Sequence, residues 1–433
     1  MSMTNHDVAS YTLELLKKAG ADAAQCAVSR GGADELNADS GEFSLMRTLF
    51  NSSLTIKAIK DGKKGVASTN RIDLDSIGEA VASCISSAEN SIPDEAEIIA
   101  PDMGKASFEG GVTTADKGRL FDRLEEFMKT VGRDYPKVVL EQMISSHSHT
   151  DRLYMNSNGT EFTYKYGAYS FEAMFSAKDG EKSSSFNGYG ISTTHLNNPF
   201  LEMGMLKTLI GESERQIDTR SVDGKFVGTL LITPACTMEL MSAILGNCVS
   251  DVGIIDGTSP WKDKLGKSVA SSGITLSAMP LDERMVFGER YTADGYPSEN
   301  YDIIKDGVLK SFMLSQYGAL KSGNERARNT SRNIVMAAGE SSLEEMIAGI
   351  DRGILLNRFS GGSPGINGDF SGVAKNSFLI EKGKIAGAVS ETMISGNLLD
   401  MLNSLIAVSK DRVCDGGTIL PWASFGGITI SGK

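Results

Sequence analysis

The sequence contains few of the residues that metal and redox sites need. Its 433 residues include four histidines and five cysteines. The cysteine count is odd, and no two cysteines form a C-x-x-C pair, which argues against a disulfide framework and against a structural zinc knuckle. We therefore expect free, buried thiols. The cysteines are Cys26, Cys84, Cys236, Cys248 and Cys414.

Long apolar runs and a basic surface are also lacking. No stretch of about 18 apolar residues is present that could span a bilayer, and Met1–Asp7 lacks the basic-then-apolar build of a signal peptide. We expect a cytoplasmic protein that makes no membrane contact. The net charge of −12, from 43 Lys and Arg against 55 Asp and Glu, argues against direct nucleic-acid binding, which needs a clustered basic surface.

Familiar catalytic motifs are missing. There is no G-x-S-x-G elbow and no phosphate-binding P-loop, and no histidine is followed by glutamate. His147 and His149 would share one face of a strand, but no third metal ligand is evident, so we expect exposed sheet residues there. The glycine-rich segment 361–368 does not follow a strand-then-helix order, so we expect a loop with positive φ angles rather than an anion site.

Hydrophobic periodicity predicts an α+β protein with an N-terminal α/β domain that contains an antiparallel sheet, and a β-rich C-terminal domain. We place the domains at residues 1–225 and 226–433, with a further division possible near a proline- and glycine-bearing linker at 91–117. The predicted helices are 8–20, 73–88, 117–131, 202–219, 234–247 and 342–350.

Strand signals fill the rest of the chain. In the first half we predict a short strand at Gln25–Ser29 followed by a polar, glycine-bearing stretch to Gly41, and a hairpin that turns at Lys60–Lys63. In the second half, Asp306-Gly307 and Lys382-Gly383 predict further hairpins.

The sequence closely resembles the TldD/PmbA family, and it does so in order along nearly the whole chain. The C-terminal signature is carried by Gly365–Gly372, Phe378–Lys384 and Val389–Met401. The K-A-G-A-D end of the first helix and the D-G-K-K-G-V-A-S hairpin at 61–68 agree with it. The segment Asp302–Leu314 fits as well.

The resemblance implies a cytosolic protease system of two related, pairing subunits, linked to trimming of unstructured peptides, to maturation of a microcin-type antibiotic peptide and to the older label "modulator of DNA gyrase". In that family only the TldD type carries H-E-x-x-x-H on a helix, with a C-terminal cysteine completing the zinc site. The matching helix in this sequence, residues 233–242, contains no histidine. The chain thus resembles the PmbA/TldE type, for which we expect no cofactor of its own, zinc being held by the TldD-type partner.

Cys414 lies where the zinc cysteine of the family would be, and a structural thiol is the expected role. A zinc site formed by Cys236, Glu239 and Cys414 is the less favoured alternative, because catalytic zinc sites generally include histidine.

The resemblance yields a main hypothesis and alternatives. The chain is expected to be a non-catalytic subunit that pairs with a TldD-type metalloprotease, forms a homodimer when alone, and holds unfolded peptide as an added strand. The alternatives are a stand-alone metallopeptidase or other hydrolase with a divergent site, and a peptide-binding homodimeric scaffold. A structural interpretation is that the signature turns only fold the domain, with Gly396 and Asn397 at positive φ. The candidate peptide-binding residues are Asp369, Phe370, Ser371, Glu391, Gly396 and Asn397.

Overall fold

The computed structural model describes residues 3–432, which form a mixed α+β protein built around two sheets, as the sequence predicts. A 3-10 helix spans Phe200–Glu202, and a π-helix, Leu245–Val249, directly continues α5. No helix within residues 3–432 is both long and apolar enough to cross a membrane. The helices are α1 (Asn5–Lys18), α2 (Leu74–Glu89), α3 (Lys117–Asp134), α4 (Leu206–Arg215), α5 (Pro234–Ile244), α6 (Asp251–Ile255), α7 (Gln316–Ser322), α8 (Leu343–Ala348) and α9 (Leu398–Asn403).

The N-terminal sheet is an antiparallel half-barrel with one parallel edge strand. Its order is β3-β2-β1-β5-β6-β4, and β7 and β8 pair with β6. Only β4 runs parallel to its neighbour, β6. The strands are β1 (Ala23–Asp39), β2 (Glu42–Lys60), β3 (Lys63–Thr69), β4 (Lys105–Gly111), β5 (Val138–Asn156), β6 (Glu161–Asp179), β7 (Lys182–Ser183) and β8 (Asn187–Thr193).

One face of this sheet is covered by helices. Cys26 and Val28 on β1 are buried in the cluster that α1 and α2 build. Farther along the same face, Phe127 of α3 packs edge-on against Phe171 of β6, with ring centroids 4.7 Å apart. Because strand side chains alternate, Ser29 lies on the opposite face, which looks toward the second half of the chain.

The C-terminal sheet is large and mixed. Its main path is β13-β12-β11-β14-β22-β10-β15-β18-β19-β9, while β20 and β21 also pair with β22, β17 with β20, and β16 with β17. The strands are β9 (Thr219–Arg220), β10 (Lys225–Ile232), β11 (Leu276–Ala278), β12 (Tyr301–Lys305), β13 (Val308–Leu309), β14 (Ile334–Met336), β15 (Arg352–Leu356), β16 (Arg358–Gly361), β17 (Asp369–Lys375), β18 (Phe378–Glu381), β19 (Lys384–Val389), β20 (Met393–Asn397), β21 (Leu405–Cys414) and β22 (Ile419–Ser431).

The structure departs from the sequence prediction at the first hairpin. The predicted short strand at Gln25–Ser29 and the polar stretch that follows it, as far as Asp39, belong to one 17-residue strand, β1. This strand persists because both of its edges are paired, to β2 and to β5. At Gly31 strands β1 and β5 come so close that a Cβ atom would lie 2.3 Å from the carbonyl oxygen of His149.

Two other segments also differ. Residues 91–117, predicted as a linker, contain β4, whose parallel ladder with β6 fixes it to the sheet. The helix predicted at 202–219 is shorter, because a 3-10 turn precedes α4 and α4 ends at Arg215. The domain division at 225/226 stays a prediction; β9, which precedes it, pairs with β19 of the second sheet.

Candidate functional site

The signature turns come together where β17 and β20 pair. Asp369 lies opposite Asn397, Phe370 opposite Gly396, and Ser371 opposite Ser395. The antiparallel ladder thus unites five of the six candidate residues. Asp369 and Ser371 have exposed side chains at this surface, so they are the candidates within reach of a ligand.

Asn397 is the centre of a hydrogen-bond network at this turn. Its Nδ2 donates to the Asp369 carboxylate at 2.9 Å and to the Asn367 carbonyl oxygen at 2.8 Å. Its Oδ1 accepts the backbone N–H of Leu399 at 2.9 Å and so caps α9. One side chain therefore joins the β17 turn to the start of the helix.

Phe370 and Gly396 form the packed layer beneath the turn. Phe370 is only 4% exposed and meets Phe359 edge-on, with centroids 5.9 Å apart. A Cβ atom at Gly396 would lie 3.2 Å from Cε1 of Phe370, so the glycine gives the ring its space. The expectation of positive φ at Gly396 and Asn397 is wrong: Asn397 has a φ of −122° and Gly396 is not among the positive-φ glycines.

Glu391 lies apart from this cluster. It lies two residues before the start of β20, whereas Asn397, which pairs with Asp369, is the last residue of that strand. Its φ of 47° makes it one of the few non-glycine residues in the left-handed region. Glu391 therefore shapes the turn that enters β20.

The helix that matches the family's zinc helix is α5. Pro234 occupies its first turn, as predicted. Cys236 is fully buried, and its Sγ donates to Oε2 of Glu239 at 3.3 Å. Burial, together with the neighbouring Glu239 carboxylate, raises the pKa of the Cys236 thiol well above its usual range. Glu239 itself accepts the backbone N–H of Phe359 at 2.7 Å.

Cys414 does not join these residues in a metal site. It lies at the end of β21, and its Sγ donates to the carbonyl oxygen of Arg284 at 3.8 Å. Burial raises the pKa of its thiol, which disfavours the thiolate that zinc needs. Across residues 3–432 no three His, Cys, Asp or Glu side chains are arranged to hold a metal ion. The alternative site of Cys236, Glu239 and Cys414 is therefore not formed.

The two strand histidines differ from expectation. His147 is completely buried, and the prediction that it is exposed is wrong. Its Nε2 donates to the carbonyl oxygen of Val112 at 2.7 Å, and its ring packs on Tyr169 at 4.8 Å between centroids. His149 lies 6.2 Å from it between ring centroids. This pair belongs to the sheet packing.

An exposed apolar edge on β2 escaped the sequence analysis. Its members lie within Glu42–Asn51, which we call the β2 edge, and that segment pairs with β1 but not with β3, whose ladder starts at Leu54. Phe50 is 84% exposed and Met46 is 64% exposed. The sequence does indicate this exposed surface. Five large apolar residues occur in ten positions without alternation, so no orientation of the strand could bury all of them on one face.

Comparison with known proteins decides the family. Residues 225–432 match the sequence profile of the PmbA/TldA metallopeptidase C-terminal domain, and residues 109–213 match that of its central domain. The chain belongs to the PmbA/TldD family. Members of this family are metalloprotease-like, so the resemblance found in the sequence is confirmed.

Relatives and solved structures agree with the family assignment. Metalloprotease PmbA of Escherichia coli O157:H7 is 25% identical over 435 aligned residues, covering 94% of this chain and 91% of that protein. The crystal structure of TldE from Thermococcus kodakarensis superposes with a TM-score of 0.85 at 21% identity, covering 98% and 100% of the two chains. A proposed modulator of DNA gyrase from Bacteroides thetaiotaomicron gives a TM-score of 0.84 at 23% identity, with full coverage of both chains.

Within this PmbA/TldD chain, α5 does not suit a catalytic zinc ion. It offers no imidazole, its only thiol is fully buried, and its carboxylate is engaged by Cys236 and by the Phe359 backbone. A catalytic zinc site needs several converging ligands and an open position for water. The residues present here do not fit that requirement.

Proposed function

We propose that this chain is a non-catalytic, PmbA/TldE-type subunit of a cytoplasmic protease system that acts on unstructured peptides, with a TldD-type partner supplying the zinc. The observation that carries the proposal is the composition of α5. In place of two imidazoles it presents a buried thiol and a glutamate that is already bonded to the Phe359 N–H. The chain keeps the family's fold without the side chains that would activate water.

The partner surface we propose is the β2 edge. Its backbone is unpaired on the outer side and its side chains Met46 and Phe50 are exposed, a combination that favours pairing with another chain. Monomeric proteins generally protect such edges with charges or prolines. Burying Phe50 and Met46 in an interface would remove the tendency of this exposed edge to pair with other chains.

For peptide, we propose the exposed side of the β17–β20 turn, with Asp369 and Ser371 as contacts. Asn397, Phe370 and Gly396 would hold the turn in place, and Glu391 would set the path into β20. Ser371 makes no side-chain hydrogen bond within the described chain, so it is available to a ligand. A peptide held largely through main-chain groups would be recognised with little sequence preference.

The test is zinc content and cleavage, measured on the purified, tag-free chain in zinc-supplemented buffer. We expect close to no zinc per chain, no cleavage of an unfolded peptide by the chain alone, and cleavage once a TldD-type subunit is added. One zinc per chain, lost in Cys414→Ala, together with cleavage by the chain alone, would instead establish a stand-alone metallopeptidase.

The pairing surface is tested by a matched pair of variants. Phe50→Glu should abolish co-elution with the TldD-type subunit in size-exclusion chromatography. Val227→Glu, which changes an exposed apolar strand residue (70% exposed) away from the β2 edge, should leave co-elution intact. If the chain forms only a homodimer that Phe50→Glu dissociates, and it never binds the TldD-type subunit, the scaffold alternative replaces the proposal.

A further inference from the structure

A second site is formed where the helix-free face of the N-terminal sheet meets loops of the C-terminal half. The space between them is a cavity of about 760 Å³, within the usual range for ligand pockets. On the sheet side a row of directly opposed residues crosses four strands: Ser53, Ser29, Arg152 and Tyr164. Directly opposed residues share a face, so all four look into the cavity.

The loop side is held together by side-chain hydrogen bonds. Glu289 accepts from Thr330 through both the backbone N–H, at 3.0 Å, and the hydroxyl, at 2.8 Å. Asn333 donates to the carbonyl oxygen of Gly417 at 3.1 Å. Three loops thereby form one wall, and this wall carries Arg290 and Arg332.

The acidic groups of the cavity are already satisfied. Besides its bonds from Thr330, Glu289 accepts from the Ser298 hydroxyl at 2.8 Å. Asp415 accepts the N–H groups of Gly417 at 2.8 Å and Thr418 at 2.7 Å, and the Thr418 hydroxyl at 2.9 Å. Neither carboxylate is bonded to an arginine.

The three arginines, in contrast, have no acidic partner. None of them takes part in an ion pair within the part of the chain that the structure describes. Arg152 lies 5.5 Å from the ring centroid of Tyr291, and Arg290 lines the same cavity as Tyr164, whose hydroxyl donates to the carbonyl oxygen of Gly288 at 3.3 Å. Arg332 is exposed at the rim. The hydroxyl of Tyr291 is buried in the same wall without a hydrogen-bond partner.

The formal charge of the residues that line this cavity is opposite in sign to the net charge of the whole chain. The three arginines against Glu289 and Asp415 leave it with one formal positive charge, in a chain whose net charge is −12. Unpaired guanidinium groups in a recessed site are suited to bidentate binding of carboxylates.

We propose that this cavity binds the carboxylates of an acidic peptide segment. The row of residues across four strands spans about 14 Å, at about 4.8 Å per strand, which matches roughly four residues of extended peptide. The cavity also has aromatic walls, formed by Tyr164, Tyr166, Phe287 and Tyr291, which suit the non-carboxylate parts of such a segment. A free phosphate ion would use only a small part of this surface.

The test measures binding to the chain alone, so its outcome is independent of the proposed pairing with a protease subunit. A fluorescein-labelled hexapeptide with three glutamates is titrated with the purified chain, and anisotropy is recorded. We expect saturable binding that weakens at least tenfold when the glutamates are replaced by glutamines. Equal binding of the two peptides, or no binding of either at millimolar chain concentration, would overturn the proposal.

Variants locate the site. Arg290→Gln combined with Arg332→Gln should weaken binding about tenfold or more, and Arg332→Lys should weaken it less than Arg332→Gln. Arg71→Gln, at an exposed arginine outside the cavity (74% exposed), should change nothing. Thermal melting establishes that each variant is folded.

Inorganic phosphate and citrate serve as competitors. Displacement of the peptide only at concentrations far above the peptide's Kd supports the proposal. Tight binding of phosphate, lost in the double variant, without binding of the glutamate peptide, would make this a small-anion site and refute the peptide assignment.

Discussion

The side-chain amide of Asn397 joins Asp369 to the start of α9: its Nδ2 donates to the Asp369 carboxylate at 2.9 Å while its Oδ1 caps the helix. The family's signature turn therefore has a structural role, because it links β17 to the start of α9. The exposed side chains at its edge are Ser371 and Asp369, and the Asp369 carboxylate already accepts from Asn397.

This relationship predicts a graded loss of stability. Asn397→Ala removes both the helix cap and the bonds to β17 and its turn, and should lower the free energy of unfolding by about 1–2 kcal/mol. Asn397→Ser keeps an oxygen for the cap and should lose less. Urea denaturation measures both, and Ser371→Ala, at an exposed residue of the same turn, is the control expected to match wild type. Equal stability of Asn397→Ala and wild type would contradict the prediction.

The fold could be predicted largely from local signals. The Asp61-Gly62 pair, at φ angles of 52° and 70°, forms the predicted hairpin turn between β2 and β3. The helix predicted from Ser342 begins with a capping box between that residue and Glu345. In these places the residues that determine the structure are neighbours in the chain.

The failures have a common physical cause. β1 and β4 are strands because of partners that are remote in sequence, which local propensity does not report. His147 is buried because Val112 and Tyr169 converge on it from other elements. Likewise, Arg152, Arg290 and Arg332 come from separate parts of the chain, so only the folded structure brings them to one cavity.

Burial of His147 predicts a pH-dependent stability. Desolvation lowers the pKa of His147 below its usual value, outweighing the hydrogen bond to Val112 and the nearby Asp34 carboxylate, which raise it. The folded state therefore binds this proton less readily than the unfolded state. Its contribution to stability is present above the unfolded pKa of about 6.5 and is lost as the pH falls, by at most about 1.4 kcal/mol per pH unit.

Urea denaturation at pH 7.5 and pH 5.5 checks this prediction. His147→Gln keeps a donor toward Val112 without a titrating ring, so its stability should fall less between the two pH values than that of wild type. His195→Gln, at an exposed histidine, should behave like wild type. An identical pH dependence of His147→Gln and wild type would refute the assignment.

The Glu212 carboxylate joins the two halves of the chain, and its surroundings shift its pKa in opposing directions. It lies on α4, and its carboxylate accepts from Nδ2 of Asn357, which lies between β15 and β16, at 2.6 Å. Burial raises the pKa of Glu212, against the lowering effects of Asn357 and Arg215. For an acid with a raised folded-state pKa, the folded state is favoured as the pH falls toward that value, and ionisation is a penalty above it.

Replacing the carboxylate with an amide should therefore stabilise the protein at high pH. Glu212→Gln keeps an oxygen for Asn357 and carries no charge, so we expect the free energy of unfolding at pH 8 to rise by roughly 1 kcal/mol, with a smaller gain at pH 5. Glu212→Ala should instead destabilise, because it leaves the Asn357 amide unpaired. Glu202→Gln, at an exposed glutamate before α4 (52% exposed), is the control expected to show neither effect. Glu212 lies on α4, and Asn357 lies between two strands of the C-terminal sheet. A loss of stability in Glu212→Gln at pH 8 would therefore mean that the ionised carboxylate, and not the hydrogen bond alone, holds α4 against the C-terminal sheet.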